Sequence, residues 1–172
     1  MKRLIIMSAC VSALLLGPLG GTVSANDAEP HGVTCSLSGK ATFSKGLTDE
    51  PKMVNYKFTG MLDDCESSDD SLKSGHVVAT GSGELSCEYG TSKGTAKVHW
   101  NNDNMTAVEF STTDIGAMVD VETAVTESNE PAAAKGDSGR GSLVFQANPE
   151  ECNQKGGVET ASFDGTIGSS GG

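Results

Sequence analysis

The sequence has little positive charge. It contains 12 Lys and Arg residues against 23 Asp and Glu residues, and its formal net charge is −11. A surface of this sign repels nucleic acids and anionic lipid headgroups, both of which are bound mainly through Lys and Arg. We therefore expect no nucleic-acid partner, and we interpret the excess of acid as a source of solubility.

Long apolar runs are also scarce. The main one, residues 4–16, follows a basic start and is followed by small residues at 23–25. It is shorter than the roughly 20 residues that span a bilayer, and this layout is typical of a secretory signal peptide. We predict cleavage after Ala25, which leaves residues 26–172 as a single β domain that is secreted, extracellular and without a stable membrane anchor. The leader removes Lys2 and Arg3 but no acid, so the net charge of −11 becomes −13.

Closely spaced cysteines are lacking. Cys10 leaves with the leader, and no two of the remaining cysteines stand two to four residues apart, as they do in structural zinc sites. An even number of cysteines in an oxidising compartment predicts two disulfides instead. The four residues are Cys35, Cys65, Cys87 and Cys152.

A sustained helical period is missing, and the Thr, Val, Ser and Gly content disfavours helix. Apolar and small residues instead alternate with polar ones over short runs, a pattern typical of half-buried strands. We predict an all-β fold, either an antiparallel sandwich or a partly closed Greek-key barrel, of about eight strands with two disulfides. The predicted strands are 33–43, 54–62, 77–87, 95–100, 106–111, 115–126, 141–147 and 159–167.

The connections between these strands are rich in turn residues. Residues 100–104 (Trp-Asn-Asn-Asp-Asn) predict a hairpin tip. Residues 66–73 and 127–140 predict polar loops, of which the second is the longest and most mobile. A hairpin between the first two strands would bring Cys35 opposite the end of the second strand, close to Cys65. Of the three possible pairings, this favours Cys35 with Cys65 and Cys87 with Cys152.

Several segments resemble small secreted β-rich proteins of actinobacteria. They are residues 35–43 (Cys-Ser-Leu-Ser-Gly-Lys-Ala-Thr-Phe), 56–65 (Tyr-Lys-Phe-Thr-Gly-Met-Leu-Asp-Asp-Cys), 74–75, 95–101, and 144–149 with Cys152. The resemblance spans most of the mature chain. It implies export and a β-rich fold, and it brings no catalytic residues to carry over.

One local motif suggests catalysis. Residues 136–139, Gly-Asp-Ser-Gly, are similar to the turn that carries the nucleophile of trypsin-like serine proteases, which makes Ser138 a candidate. Arg140 replaces the second glycine of that pattern, and none of His31, His76 and His99 lies in the setting of the catalytic base. A turn before a strand is the simpler interpretation.

Other candidate sites are weaker. The three histidines have no spacing that joins them into a metal site, and His99 should face solvent. The acidic segment Asp63 to Asp70 could hold calcium but lacks the spacing of an EF-hand loop, so a solvated loop is the simpler interpretation. Asp120 and Glu122 lie two residues apart on one strand face. They could form the carboxylate pair of a glycosidase, but the polar outer face of an ordinary strand has the same pattern. Trp100, Tyr56 and Tyr89 could stack on sugars, but the first two fall on inward positions, and with aromatics at 5% they are better used in the core.

Together these observations favour a secreted, non-catalytic binding or interaction protein with an unknown extracellular partner, acting through loops such as 127–140. A serine hydrolase using Ser138 and an inhibitor of secreted proteases are the alternatives. The sequence indicates no cofactor and no metal.

Overall fold

The computed structural model describes residues 32–67 and 69–170. The predicted leader and His31 lie outside the described residues. Within the described part of the chain, none of the helices has the length and apolar character needed to cross a membrane.

Strands dominate the described residues, and there are eight of them, as predicted. Most are longer than expected because the alternation of buried and exposed side chains continues into the predicted loops. They are β1 (Gly32–Leu47), β2 (Lys52–Ser67), β3 (Gly75–Leu85), β4 (Tyr89–Trp100), β5 (Met105–Ile115), β6 (Met118–Ser128), β7 (Ser138–Gln146) and β8 (Val158–Ser170). A 3₁₀ turn (Pro131–Ala133) lies between β6 and β7, and a short helix, α1 (Pro149–Cys152), lies between β7 and β8.

The sheet closes on itself. Each strand pairs antiparallel with the next one along the chain, and β8 pairs with β1. The all-β fold and the two disulfides are confirmed, and of the two expected architectures the barrel is the one formed. Its closure is complete, and because its strands follow chain order it is an up-and-down barrel and not a Greek key. Closure leaves every strand with two hydrogen-bonded neighbours, so no edge is exposed.

Several predicted boundaries are wrong. Ile115 ends β5 instead of starting β6, because the chain turns at Gly116, whose φ of +62° lies in the left-handed region that favours glycine. The loop expected at 66–73 begins only after Ser67. The loop expected at 127–140 is shorter at both ends, since β6 reaches Ser128 and β7 starts at Ser138.

The predicted disulfide pairing, Cys35–Cys65 and Cys87–Cys152, is confirmed. Cys65 reaches the interior through a β-bulge: Thr34 pairs with Glu66 and Ser36 with Asp63, so Cys35 faces two residues of β2. The extra residue, Asp64, has a φ of +50°. Without it, strict alternation from Leu62 would place Cys65 on the outer face.

The two ends of the barrel differ, and we name them by their connections. The closed end carries the β2–β3, β4–β5 and β6–β7 connections. The open end carries the β1–β2, β3–β4, β5–β6 and β7–β8 connections. The Cys87–Cys152 disulfide joins two connections of the open end.

Candidate ligand-binding site

A cavity of about 180 Å³ occupies the barrel interior. Its wall consists mainly of inward-facing apolar side chains, including Leu37, Phe58, Ala79, Phe110, Val121 and Phe163. Apolar cavities of about 150 Å³ in other proteins stay dry and admit a molecule the size of benzene. The barrel interior therefore has room for a small apolar molecule.

The cavity reaches the surface at the open end. Its exposed lining residues, Glu88, Tyr89 and Gly116, all belong to the β3–β4 and β5–β6 connections or border them. These connections are joined by a hydrogen bond from the Gly116 N–H to the Glu88 carbonyl. We refer to the gap bordered by these three residues as the mouth.

The closed end is sealed by the β6–β7 connection. Glu130 is 0% exposed, and its carboxylate accepts hydrogen bonds from the side-chain amides of Asn102 (2.8 Å) and Asn104 (3.0 Å) and from the Ala132 N–H (3.0 Å). Ala132 and Ala133 are buried against the barrel. Three donors satisfy the carboxylate, so this segment forms an anchored plug and not the free loop that its composition suggested.

Trp100 lies on the inner wall near this plug. It is 7% exposed, and its indole N–H donates to the Thr106 hydroxyl at 2.9 Å. It lines the cavity and is the chain's single Trp. Its inward position was predicted, and so was the hairpin tip that follows it, where the Trp100 N–H donates to the Asn104 carbonyl at 2.9 Å.

A line of hydroxyl groups crosses the apolar wall towards the mouth. The Tyr56 hydroxyl lies 2.7 Å from Ser92 Oγ, which lies 2.8 Å from Thr112 Oγ1. The Tyr56 ring lies against Gly81, where a Cβ would come within 2.5 Å of the ring, so a glycine is required there. Burial raises the pKa of Tyr56 to about 12; the hydrogen bond with Ser92 opposes this, and the charge of Asp114 adds to it.

Asp114 continues this line, two residues beyond Thr112 on β5. Burial raises the pKa of its carboxyl to about 6, although the Thr112 hydroxyl acts in the opposite direction. Its Oδ1 atom is buried and has no hydrogen-bond partner within the described residues. The residues opposite it on β4 and β6 are Gly90 and Val119, whose side chains donate no hydrogen bonds. Neither of these two neighbours supplies a donor, and the Thr112 hydroxyl is the side-chain donor that acts on this carboxyl.

The outer surface beside the mouth is apolar. Tyr89, Ile115, Met118 and Val144 are exposed and lie in register on four consecutive strands, β4 to β7. They are the outward neighbours of cavity-lining positions such as Asp114 and Val119. The rim of the mouth is therefore less polar than the acidic composition of the chain suggests.

Ser138 lies outside the cavity. It is exposed at the start of β7, where it pairs with Ala124 and Ser170. The preceding turn uses its N–H groups internally, from Gly136 to the Val125 carbonyl and from Asp137 to the Ala134 carbonyl. Backbone donors held in this way are not available for an oxyanion.

The histidines that the structure describes are far from Ser138 around the barrel. His76 and His99 are exposed and face each other across β3 and β4, whereas Ser138 begins β7. The position expected for His99 is confirmed. No histidine in the described residues lies on a strand that pairs with β7.

The acidic candidates do not converge on the cavity. Asp63 and Asp64 belong to β2 and not to a loop, and Asp69 accepts a hydrogen bond from the Ser71 N–H at 2.8 Å. The Ser71 hydroxyl, and after it this backbone hydrogen bond, lowers the pKa of Asp69. Among the described residues, the one cluster with three possible metal ligands is Asp49 with Cys87 and Cys152, whose sulfurs form a disulfide.

The candidate carboxylate pair and the aromatic residues have simpler roles. Asp120 and Glu122 are exposed on the outer face of β6, and Glu122 lies 3.6 Å from the Arg140 guanidinium. Tyr56 faces inward, as predicted, and Tyr89 is 51% exposed.

Comparison of the chain with protein-family models, with curated proteins and with solved structures finds no match.

Sequence reasoning missed Asp114 and Glu130, the two carboxylates that distinguish the barrel ends. The signal for Asp114 was present: the inward set Thr106, Val108, Phe110 and Thr112 continues to it in steps of two. Ending the strand at Ser111 placed Asp114 in a turn. Glu130 has no such signal, because it lies outside any alternating run.

Proposed function

We propose that this chain is an exported, non-catalytic binding protein that holds a small, mainly apolar molecule inside the barrel. The observation that carries the proposal is the interior cavity, sealed at the closed end, reaching the surface at the mouth and lined by apolar side chains with a few polar groups on one side. Binding sites for small molecules commonly have this composition. Export is supported by the signal-like leader and by the two disulfides, which persist in oxidising compartments.

The alternatives are less well supported. Hydrolysis at Ser138 requires a base within hydrogen-bond reach and free backbone donors, and its surroundings offer neither within the described residues. Inhibition of a protease requires a projecting loop. The 127–140 segment instead buries Glu130, Ala132 and Ala133 at the closed end.

The cavity offers a built-in reporter, because Trp100 is the chain's single Trp and lines it. Titration with 2-phenylethanol, a neutral molecule of suitable size, should change the Trp100 fluorescence in a saturable way. Calorimetry should give a stoichiometry of one. We choose a neutral probe so that the result reports on the cavity and not on charge.

Ala96→Leu would place a larger side chain inside the cavity, and it should weaken binding at least tenfold. Thr95→Leu is the matched control, because Thr95 is the exposed outward neighbour on the same strand. If Ala96→Leu does not fold, Ala79→Leu takes its place, because Ala79 is the β3 residue that pairs with Ala96. Absence of saturable binding to the wild-type protein, or equal binding by the inward and outward variants, would contradict the proposal.

A further inference from the structure

The charged groups that line the cavity have one sign. They are Glu88 at the mouth and Asp114 further in, and the described lining includes no Lys, Arg or His. A carboxylate ligand would therefore meet repulsion at the mouth and find no counter-ion inside. The lining disfavours anionic ligands, including fatty acids.

Asp114 also has an unmet hydrogen-bonding requirement. Its Oδ1 is buried without a partner, and the residues opposite it, Gly90 and Val119, have no side-chain donor. Leaving a buried acceptor unpaired is unfavourable. The Asp114 side chain lines the cavity and is only partly buried, so a ligand with a donor can hydrogen-bond to its carboxylate from inside the cavity.

The remainder of the cavity has different chemistry. From Asp114 towards the closed end the wall is mainly apolar, with aromatic rings of Phe58, Phe110 and Phe163, and it reaches Trp100. A ligand that fits both parts has a donor at one end and an apolar body at the other.

We propose that the occupant is a small apolar amine in its ammonium form, with its nitrogen at the Asp114 carboxylate and its apolar body directed towards Trp100. This inference rests on the function proposed above and specifies the ligand class. An ammonium is favoured over a neutral hydroxyl because it adds the attraction between opposite charges to its hydrogen bond with the carboxylate. Glu88 at the mouth adds attraction for a cation on its way in.

Three probes of nearly equal shape test the inference: 2-phenylethylamine, a cation; 2-phenylethanol, a neutral donor; and phenylacetate, an anion. At pH 7.5 the Asp114 carboxyl is ionised, since its pKa is about 6. Calorimetry should show the amine binding at least tenfold more tightly than the alcohol, and phenylacetate binding most weakly.

Asp114→Asn keeps the size of the side chain and removes the charge, so the affinity for the amine should fall to that for the alcohol, while the affinity for the alcohol changes little. Asp120→Asn is the control, because it removes the same charge from the exposed outer face of β6 and should leave all three affinities unchanged. If the alcohol binds but the amine binds no more tightly, or is insensitive to Asp114→Asn, the amine is wrong and the binding function stands. If none of the three probes binds, both proposals are wrong.

Discussion

Two inward carboxylates, Glu130 at the closed end of the barrel and Asp114 at the open end, differ in their hydrogen bonds. At the closed end Glu130 is fully buried and accepts three hydrogen bonds, two of them from asparagines of the β4–β5 turn. At the open end Asp114 is partly buried, and one of its oxygens has no partner. The chain thus uses one carboxylate to build the plug, and the other is the one that we propose binds a ligand. Whether a buried acid is structural or functional depends on its donors more than on its burial.

The largest effects on stability are expected from the two disulfides, which lie near opposite ends of the barrel. Cys35–Cys65 is formed close to the closed end and Cys87–Cys152 at the open end, with sequence separations of 30 and 65 residues. Replacing either pair by alanine should lower the free energy of unfolding by about 3 to 4 kcal/mol, because each bridge restricts the unfolded chain. Denaturant titration measures this loss.

Loss of the two bridges should affect ligand affinity to different extents. Cys87 lines the cavity beside the mouth, and its N–H donates to the Thr48 carbonyl, so loss of its bridge loosens the connections around the mouth. We expect Cys87→Ala with Cys152→Ala to weaken binding of 2-phenylethanol several-fold, and Cys35→Ala with Cys65→Ala to affect it less. The opposite order would show that the functional end is the one we describe as closed.

The next largest effect concerns the plug. Glu130→Ala removes the acceptor shared by Asn102, Asn104 and Ala132 and leaves these donors without it, so we expect a loss of about 3 kcal/mol in the free energy of unfolding. Glu127→Ala, an exposed acid on the preceding strand, should change it by less than about 0.5 kcal/mol. Equal unfolding midpoints for the two variants would show that Glu130 does not stabilise the fold.

The smallest expected effect is a gain in stability on substitution, and it concerns Asp114. Its pKa is about 6 in the folded protein and 3.8 in the absence of the fold. Below pH 3.8 both states are protonated. Between these values the folded state retains the proton that the unfolded state has lost, so stability decreases as the pH rises through 6 and is then constant at the lower level.

Asp114→Asn should abolish this decrease and stabilise the protein at pH 7 by about 1 to 2 kcal/mol, less than the full shift implies because the carboxyl is partly open to solvent. Thermal unfolding of both proteins from pH 3.5 to 7.5 measures the difference, with Asp120→Asn as the exposed control. A wild-type stability that rises between pH 4 and 6 in step with Asp114 ionisation would contradict the description of this site.

The sequence predicted the strands and the disulfides because both depend on local patterns. Alternation placed Trp100 and Tyr56 inside, and the first hairpin placed Cys35 near Cys65. The sequence-based prediction failed where a strand continued through polar residues, as at Thr112 and Asp114. A polar residue that faces a cavity cannot be told from a turn residue by its type alone.

The amino-acid sequence by itself determined that this chain forms alternating strands, buries most of its few aromatics and pairs its cysteines, because these follow from a period of two and from local geometry. Only the tertiary structure decided that the sheet closes, since a sandwich and a barrel share that period and differ in the pairing of β1 with β8. The tertiary structure also decided the roles of the two carboxylates. Glu130 receives donors from Asn102 and Asn104, 28 and 26 positions away, and Asp114 faces Gly90 and Val119, which have none to give. Donors brought together over such distances leave no trace in a local pattern.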